Sequence, residues 1–273
     1  MMPMLKCAPD NQGADMRRFW LKMVAATAIA FPAAAANPAN PANGERLAYT
    51  MGCVSCHNRD MTGHLVEEDP ERLVAWSTNL SRRLPGWRDA DIARALRTGK
   101  RPDGSDIWVM PVHSFHWIND AEMRDLTAFL RSVPPTGVDH PPAVFGPRAR
   151  AAIASGKAKP PAGFLAEDLA RAPRPLPGHG EGRRLALLIC GDCHGADLKG
   201  YEGEGAPANL LVASAYTLPD FARLLRNGTR ADGSASGMTE YSRDRLFKLT
   251  DAEIRRIWNY LRANAARGTK LPQ

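Results

Sequence analysis

Apolar positions recur along the chain at helical spacing. Met123, Leu126, Phe129 and Leu130 fall at i, i+3, i+6 and i+7, and predict one buried face of a helix. Asn119 stands just ahead of that stretch with Glu122 three residues on, the pattern of a capping box. Ile254, Ile257, Trp258 and Leu261 mark a second such helix near the C-terminus. Residues 89–97, with Ile92, Ala95 and Leu96, have the same spacing, and residues 44–51, with Leu47, Tyr49 and Met51, read as a short helix. Asn79 and Leu80 fall in a polar loop, and Arg101-Pro102-Asp103-Gly104 reads as a turn. The 22 prolines and 23 glycines argue for many loops and little continuous sheet.

The blocks come in two matched sets. Glu181-Gly182-Arg183-Arg184-Leu185-Ala186 echoes Gly44-Glu45-Arg46-Leu47-Ala48. Residues 225–234 echo residues 96–105, and Asp251-Ala252-Glu253-Ile254 echoes Asp120-Ala121-Glu122-Met123. Three blocks repeated in the same order imply two copies of one unit, at residues 44–133 and 181–266. Residues 134–180 join them and hold ten prolines. Short helices are expected there at 148–158 or 166–171, in a segment lying over both units.

The N-terminus reads differently. Residues 1–36 have the layout of an export signal: Arg17 and Arg18, then a mainly apolar run from Phe19 to Phe31, then four alanines at 33–36. Met16 is an alternative start. The apolar run is shorter than the ~20 residues that span a bilayer, so a retained anchor is the lesser reading. Residues 37–43 form a short lead. The chain has 273 residues, 44% of them hydrophobic, which suits a globular protein. Its net charge of +7 becomes +5 without residues 1–36. This balance favours acidic partners or an anionic surface, and no basic run with interleaved aromatics points to nucleic acid.

Chemistry concentrates at Cys53-Val54-Ser55-Cys56-His57 and Cys190-Gly191-Asp192-Cys193-His194. Both read C-x-x-C-H, the attachment signature of a c-type haem. Two thiols three residues apart can each form a thioether with one porphyrin vinyl group, and the next residue supplies an imidazole to the iron. A zinc ribbon needs its paired knuckles much closer in sequence, and a redox dithiol needs a βαβ setting that is not visible. The fifth cysteine, Cys7, falls in the export segment. Two covalently bound haems are therefore expected, at Cys53, Cys56, His57 and at Cys190, Cys193, His194.

The sixth iron ligand decides between electron transfer and catalysis. After His194 there is no further His, and Met238 is the only Met, 44 residues on. A neutral thioether there favours ferrous iron. In the first unit Met110, 53 residues after His57, holds the corresponding place, with Met61, His64, His113 and His116 as rivals. Met123 is better read as core, and His140 and His179 as connector residues. Each iron-bound imidazole also needs a carbonyl for its other N–H, which residues 206–210 could supply in the second unit. Trp87, Trp108, Arg97 and Arg101 are candidate propionate contacts.

With these residues in hand, the chain resembles diheme cytochromes c and the cytochrome subunits of bacterial membrane-bound alcohol and gluconate dehydrogenases. The resemblance covers about residues 44–266. It rests on the two C-x-x-C-H motifs, Asp197-Leu198-Lys199-Gly200, Pro207 to Leu210, Met110-Pro111, and the closing Phe129-Leu130 and Tyr260-Leu261. It implies an all-α fold: two tandem class I cytochrome c domains joined by the Pro-rich connector, the first and last helices of each crossing beside the haem. Gly182 and Tyr49 suit that crossing. It also implies a periplasmic location and redox partners such as a dehydrogenase, an oxidase or another cytochrome, with membrane association through a partner. Those subunits carry three motifs and a membrane-associated tail, where this sequence has two motifs and ends soon after its second unit. The expected function is electron transfer from a dehydrogenase or quinol-linked donor to a downstream acceptor, without catalysis. A diheme peroxidase is the alternative; it would need an open iron site, and a thiosulfate-oxidising enzyme would need a spare cysteine ligand.

Overall fold

Glycine lets helices approach where any side chain would hold them apart, and two glycines do so here. In the computed structural model, which describes residues 38–268 apart from residue 204, helix α1 (Pro41–Thr50) leads into the short α2 (Cys53–His57). Strands β1 (Leu65–Asp69) and β2 (Leu73–Trp76) follow, then helices α3 (Leu80–Arg83), α4 (Asp89–Thr98), α5 (Val112–Phe115) and α6 (Asp120–Ser132). The connector holds β3 (Val144–Phe145), α7 (Pro147–Ala154) and α8 (Leu165–Arg171). The rest comprises α9 (Gly180–Ile189), α10 (Gly191–His194), α11 (Leu218–Asn227), α12 (Thr239–Asp244) and α13 (Asp251–Gly268).

The two halves repeat one packing scheme. Helix α1 lies against α6 with Gly44 at the closest approach: a Cβ there would stand 1.9 Å from the Asp125 carbonyl oxygen. Helix α9 lies against α13 with Gly182 in the same role, 2.2 Å from the Arg256 carbonyl oxygen. The expected helix faces are buried. Met123, Leu126, Phe129 and Leu130 pack with Leu47 and Met51, while Ile254, Ile257 and Leu261 pack with Leu185 and Leu188. Tyr260 rather than Trp258 completes the second face; Trp258 is half-buried and donates Nε1–H to the Tyr216 carbonyl at 3.0 Å. Tyr49 takes no part in the α1–α6 approach. One residue on from the buried Ala48, it is turned about 100° away and meets Phe247 of the other half edge-on at 6.0 Å.

The halves are joined reciprocally. Asn119 and Glu122 form the expected capping box at the start of α6, and Thr250 and Glu253 form its counterpart at α13. Each cap glutamate also receives an arginine from the first helix of the other half. Arg184 donates to both Glu122 oxygens at 2.7 and 2.8 Å and to the Trp117 carbonyl at 2.9 Å. Arg46 donates to both Glu253 oxygens at 2.9 and 3.0 Å and approaches the Lys248 carbonyl at 3.4 Å. Bidentate, largely buried pairs of this kind are the stronger class of ion pair. From residue 39 onward the described residues form one compact unit.

Little strand accompanies these helices, but the first half carries a feature that the helical reading did not anticipate. Strands β1 and β2 form an antiparallel hairpin with a register irregularity between Leu65 and Glu67, and β3 from the connector adds to β2. Their length of two to five residues and the acidic run in β1 left too little alternation to read in sequence. The connector's helices fall close to the expected places. Its first part is anchored on the first half through β3 and through His140, stacked on Trp76 at 4.6 Å. It reaches the second where the Pro173 carbonyl accepts from Arg183 Nε at 2.5 Å.

Gly44→Val and Gly182→Val should each destabilise the fold by about 3 kcal/mol through overpacking against backbone. Gly86→Ala, at a site with nothing within 4 Å, should change stability by no more than about 0.5 kcal/mol. Thermal unfolding followed by circular dichroism measures all three.

Candidate functional site

Each C-x-x-C-H segment is one turn of helix with its histidine at the C-terminal end. The loops after them match residue for residue. The His57 carbonyl accepts from Gly63 N–H at 3.0 Å, and that of His194 from Gly200 N–H at 2.8 Å. Met61 (φ 59°) and Leu198 (φ 60°) take the left-handed conformation at the same step, and both are buried. Their carbonyls accept from Leu80 N–H at 2.7 Å and Leu210 N–H at 2.9 Å. These bonds bring Thr78 beneath His57 and Ala208 beneath His194.

The result is the same lock twice. His57 Nδ1 lies 2.8 Å from the Thr78 carbonyl oxygen, and His194 Nδ1 lies 2.6 Å from that of Ala208. A carbonyl only accepts, so each Nδ1 carries the proton and each Nε2 keeps a free lone pair. Burial pulls the pKa of both imidazoles below the usual value. The carbonyl bond opposes this in each, and nearby His64 adds to the lowering at His57. Both rings are thus held neutral, as a metal-binding imidazole must be. Residues 206–210 supply the carbonyl expected for the second motif. Thr78 was not anticipated for the first, although Asn79-Leu80 repeats Asn209-Leu210 and carries the signal.

None of the four motif cysteines is paired with another in a disulfide. Burial pushes Cys53 up to about 11 and Cys190 up to about 12. In all four motif cysteines burial is the larger effect, and the Arg245 cation pulls the other way. That shared influence has a geometric source. Arg245 Nη2 donates to the Met51 carbonyl at 3.0 Å, two residues before Cys53, while Nη1 faces Asp192 Oδ2 of the second motif at 3.4 Å. His113 Nε2 also donates to the Gly191 carbonyl at 3.0 Å, so α5 of the first half rests on the second motif. Among the described residues no three His, Cys, Asp or Glu side chains cluster as a metal-binding group. The donor set suits covalent haem: paired thiols at fixed spacing beside a neutral imidazole with a free Nε2.

Met110 and Met238 are half-buried and pack against the core. Each follows a matched hairpin. Arg101 N–H donates to the Ser105 carbonyl at 2.9 Å, and Arg230 N–H to that of Ser234 at 2.8 Å, around Gly104 and Gly233 with φ of 84°. The other candidates in the first half stand as follows. Met61 takes the core place of Leu198, and Met123 is buried on α6. His113 meets Gly191, and His116 Nδ1 donates to the Arg97 carbonyl at 3.2 Å. His64 sits in the loop after the first motif, its backbone N–H on Ser77 Oγ at 2.9 Å and its Nδ1 buried without a partner. Arg97 is paired with Asp120 at 2.6 Å, Arg101 closes its own hairpin, and Trp108 packs edge-on against Phe145 at 4.8 Å. The Trp87 carbonyl accepts from Arg131.

Asn79 was read as a polar loop residue and is a buried cross-link. Its Nδ2 donates to the Thr136 and Val138 carbonyls at 2.8 and 3.0 Å, and its Oδ1 accepts from Ser81 and Arg82. It thereby ties the connector to the residue next to Thr78. Its counterpart Asn209 is exposed and caps only Leu211 N–H at 2.9 Å.

Residues 41–134 match the model of the cytochrome c family. Over 255 residues the chain is 29% identical to a protein of Cereibacter sphaeroides described as diheme cytochrome c-type, covering 80% of this chain and 84% of the relative.

Asn79→Ala should cost about 2 kcal/mol, because it removes the buried side chain that ties the Thr136 and Val138 carbonyls to the first loop as well as a cap. Asn209→Ala should cost about 1 kcal/mol, the loss of a cap alone. Denaturant titrations of the two variants test the difference.

Proposed function

We propose that the chain is a diheme c-type cytochrome, a periplasmic electron carrier built from two class I domains, residues 44–133 and 181–266. The observation that carries this reading is the repeated lock: in each half a neutral imidazole, fixed by a backbone carbonyl, stands beside a pair of thiols. Cys53 and Cys56 would hold one haem by thioether bonds and Cys190 and Cys193 the other. His57 and His194 would bind through Nε2. When bound, each haem supplies a reversible one-electron iron couple.

Met110 and Met238 are the sixth ligands in this reading. Support comes from their matched positions after the two hairpins and from the engagement of His113 Nε2 with the Gly191 carbonyl. A thioether on each iron leaves no coordination site for a substrate, which favours carrying electrons over peroxide chemistry. Burial of both imidazoles keeps them below the usual pKa and helps to hold them neutral.

Residues 1–36, outside the described residues, would direct export. No helix of the described residues is long and apolar enough to cross a membrane. The donor is a dehydrogenase or a quinol-linked protein and the acceptor a downstream redox protein, met through transient contact or as a subunit of a larger assembly.

Purified protein should show two covalently bound haems per chain by pyridine haemochrome assay. Its oxidised form should show a near-infrared sulfur-to-iron band from both. Met238→Ala should let one haem per chain bind cyanide or carbon monoxide, and Met110→Ala the other. A high-spin ferric haem with peroxide turnover in the unaltered protein would overturn the carrier reading.

A further inference from the structure

One side chain belongs to both attachment motifs. Arg245 lies between α12 and α13, six residues before Asp251 opens the last helix. Its side chain is 9% exposed. Beyond its bond to the Met51 carbonyl, it crowds the backbone just ahead of Cys53, where a Cβ on Gly52 would stand 2.2 Å from Cζ. On its other side Nη1 and Nη2 face Asp192 Oδ2 at 3.4 and 3.5 Å, within the second motif.

The charge is only partly compensated. Those distances are long for a charge-assisted pair, Asp192 is 32% exposed, and Arg245 Nε is buried without a partner among the described residues. The corresponding position in the first half, six residues before Asp120, is Ser114, a buried neutral side chain against Gly191. Only one of the two matched positions therefore carries a cation.

We propose that Arg245 is a positioning and electrostatic residue shared by the two haem sites, setting both reduction potentials together although it belongs to one half. The inference rests on the two-haem reading above. Reducing ferric to ferrous iron removes one positive charge. A fixed cation nearby stabilises the product of that step over the reactant, and more strongly away from water. Asp192 works against it at both sites. The arginine touches the entrance of one motif and the interior of the other, so its field does not stop at the boundary between the halves.

Potentiometric titration of the holoprotein, read in the visible absorption bands, tests this. Arg245→Gln should lower both midpoints, raising the ferric-to-ferrous ratio at a fixed applied potential on the order of tenfold at each haem. Arg245→Lys should restore most of the shift at both. Asp192→Asn should move both midpoints upward. If Arg245→Gln binds two haems yet moves one couple alone, or neither, the residue is a packing element of its own half and the proposal fails. If that variant does not fold, Asp192→Asn decides, and an unchanged or single-site response refutes the proposal. Fewer than two haems on the unaltered chain would instead refute the underlying reading.

Discussion

An imidazole bonded through Nδ1 to a backbone carbonyl is the constraint to which both halves are built. Left alone, such a ring would turn in its pocket and lose the orientation on which metal binding depends. The Thr78 and Ala208 carbonyls prevent this. They are in place because the loop after each motif turns through a left-handed residue and is pinned to the next segment by the Met61 and Leu198 carbonyls. The strained backbone at these two non-glycine positions is thus tied to the histidine it serves.

Around that constraint the chain uses one scheme twice and then interlocks the copies. A glycine in each first helix admits the last helix of the same half, and an arginine two residues later reaches the last helix of the other. Cap glutamates that would stabilise isolated helices become the receptors of this clasp. Arginines of each half also meet backbone carbonyls of the other, Arg184 at Trp117 and Arg245 at Met51, and the described residues from 39 onward form a single unit.

The copies also diverge, and the differences gather near the first motif. The small sheet, the connector and the buried Asn79 brace the first loop, where the second has an exposed Asn209 and no strands. At the junction the pattern reverses: the second half contributes Arg245 where the first has Ser114. Two sites of the same chemistry thus sit in unequal surroundings.

Much of this was legible in the residues. The two C-x-x-C-H motifs, the helix faces through Met123 to Leu130 and, Trp258 apart, Ile254 to Leu261, and the Asn119–Glu122 cap are local patterns. Each depends on neighbours within a turn or two, so spacing alone determined them. The short strands, the Thr78 carbonyl, the burial of Asn79 and the outward turn of Tyr49 were decided by folding. So were the clasps, which join residues 62 and 207 positions apart, and the meeting of both motifs at Arg245. Such contacts leave no periodic trace, because their partners are chosen by the way the two halves pack and not by the order of residues along either one.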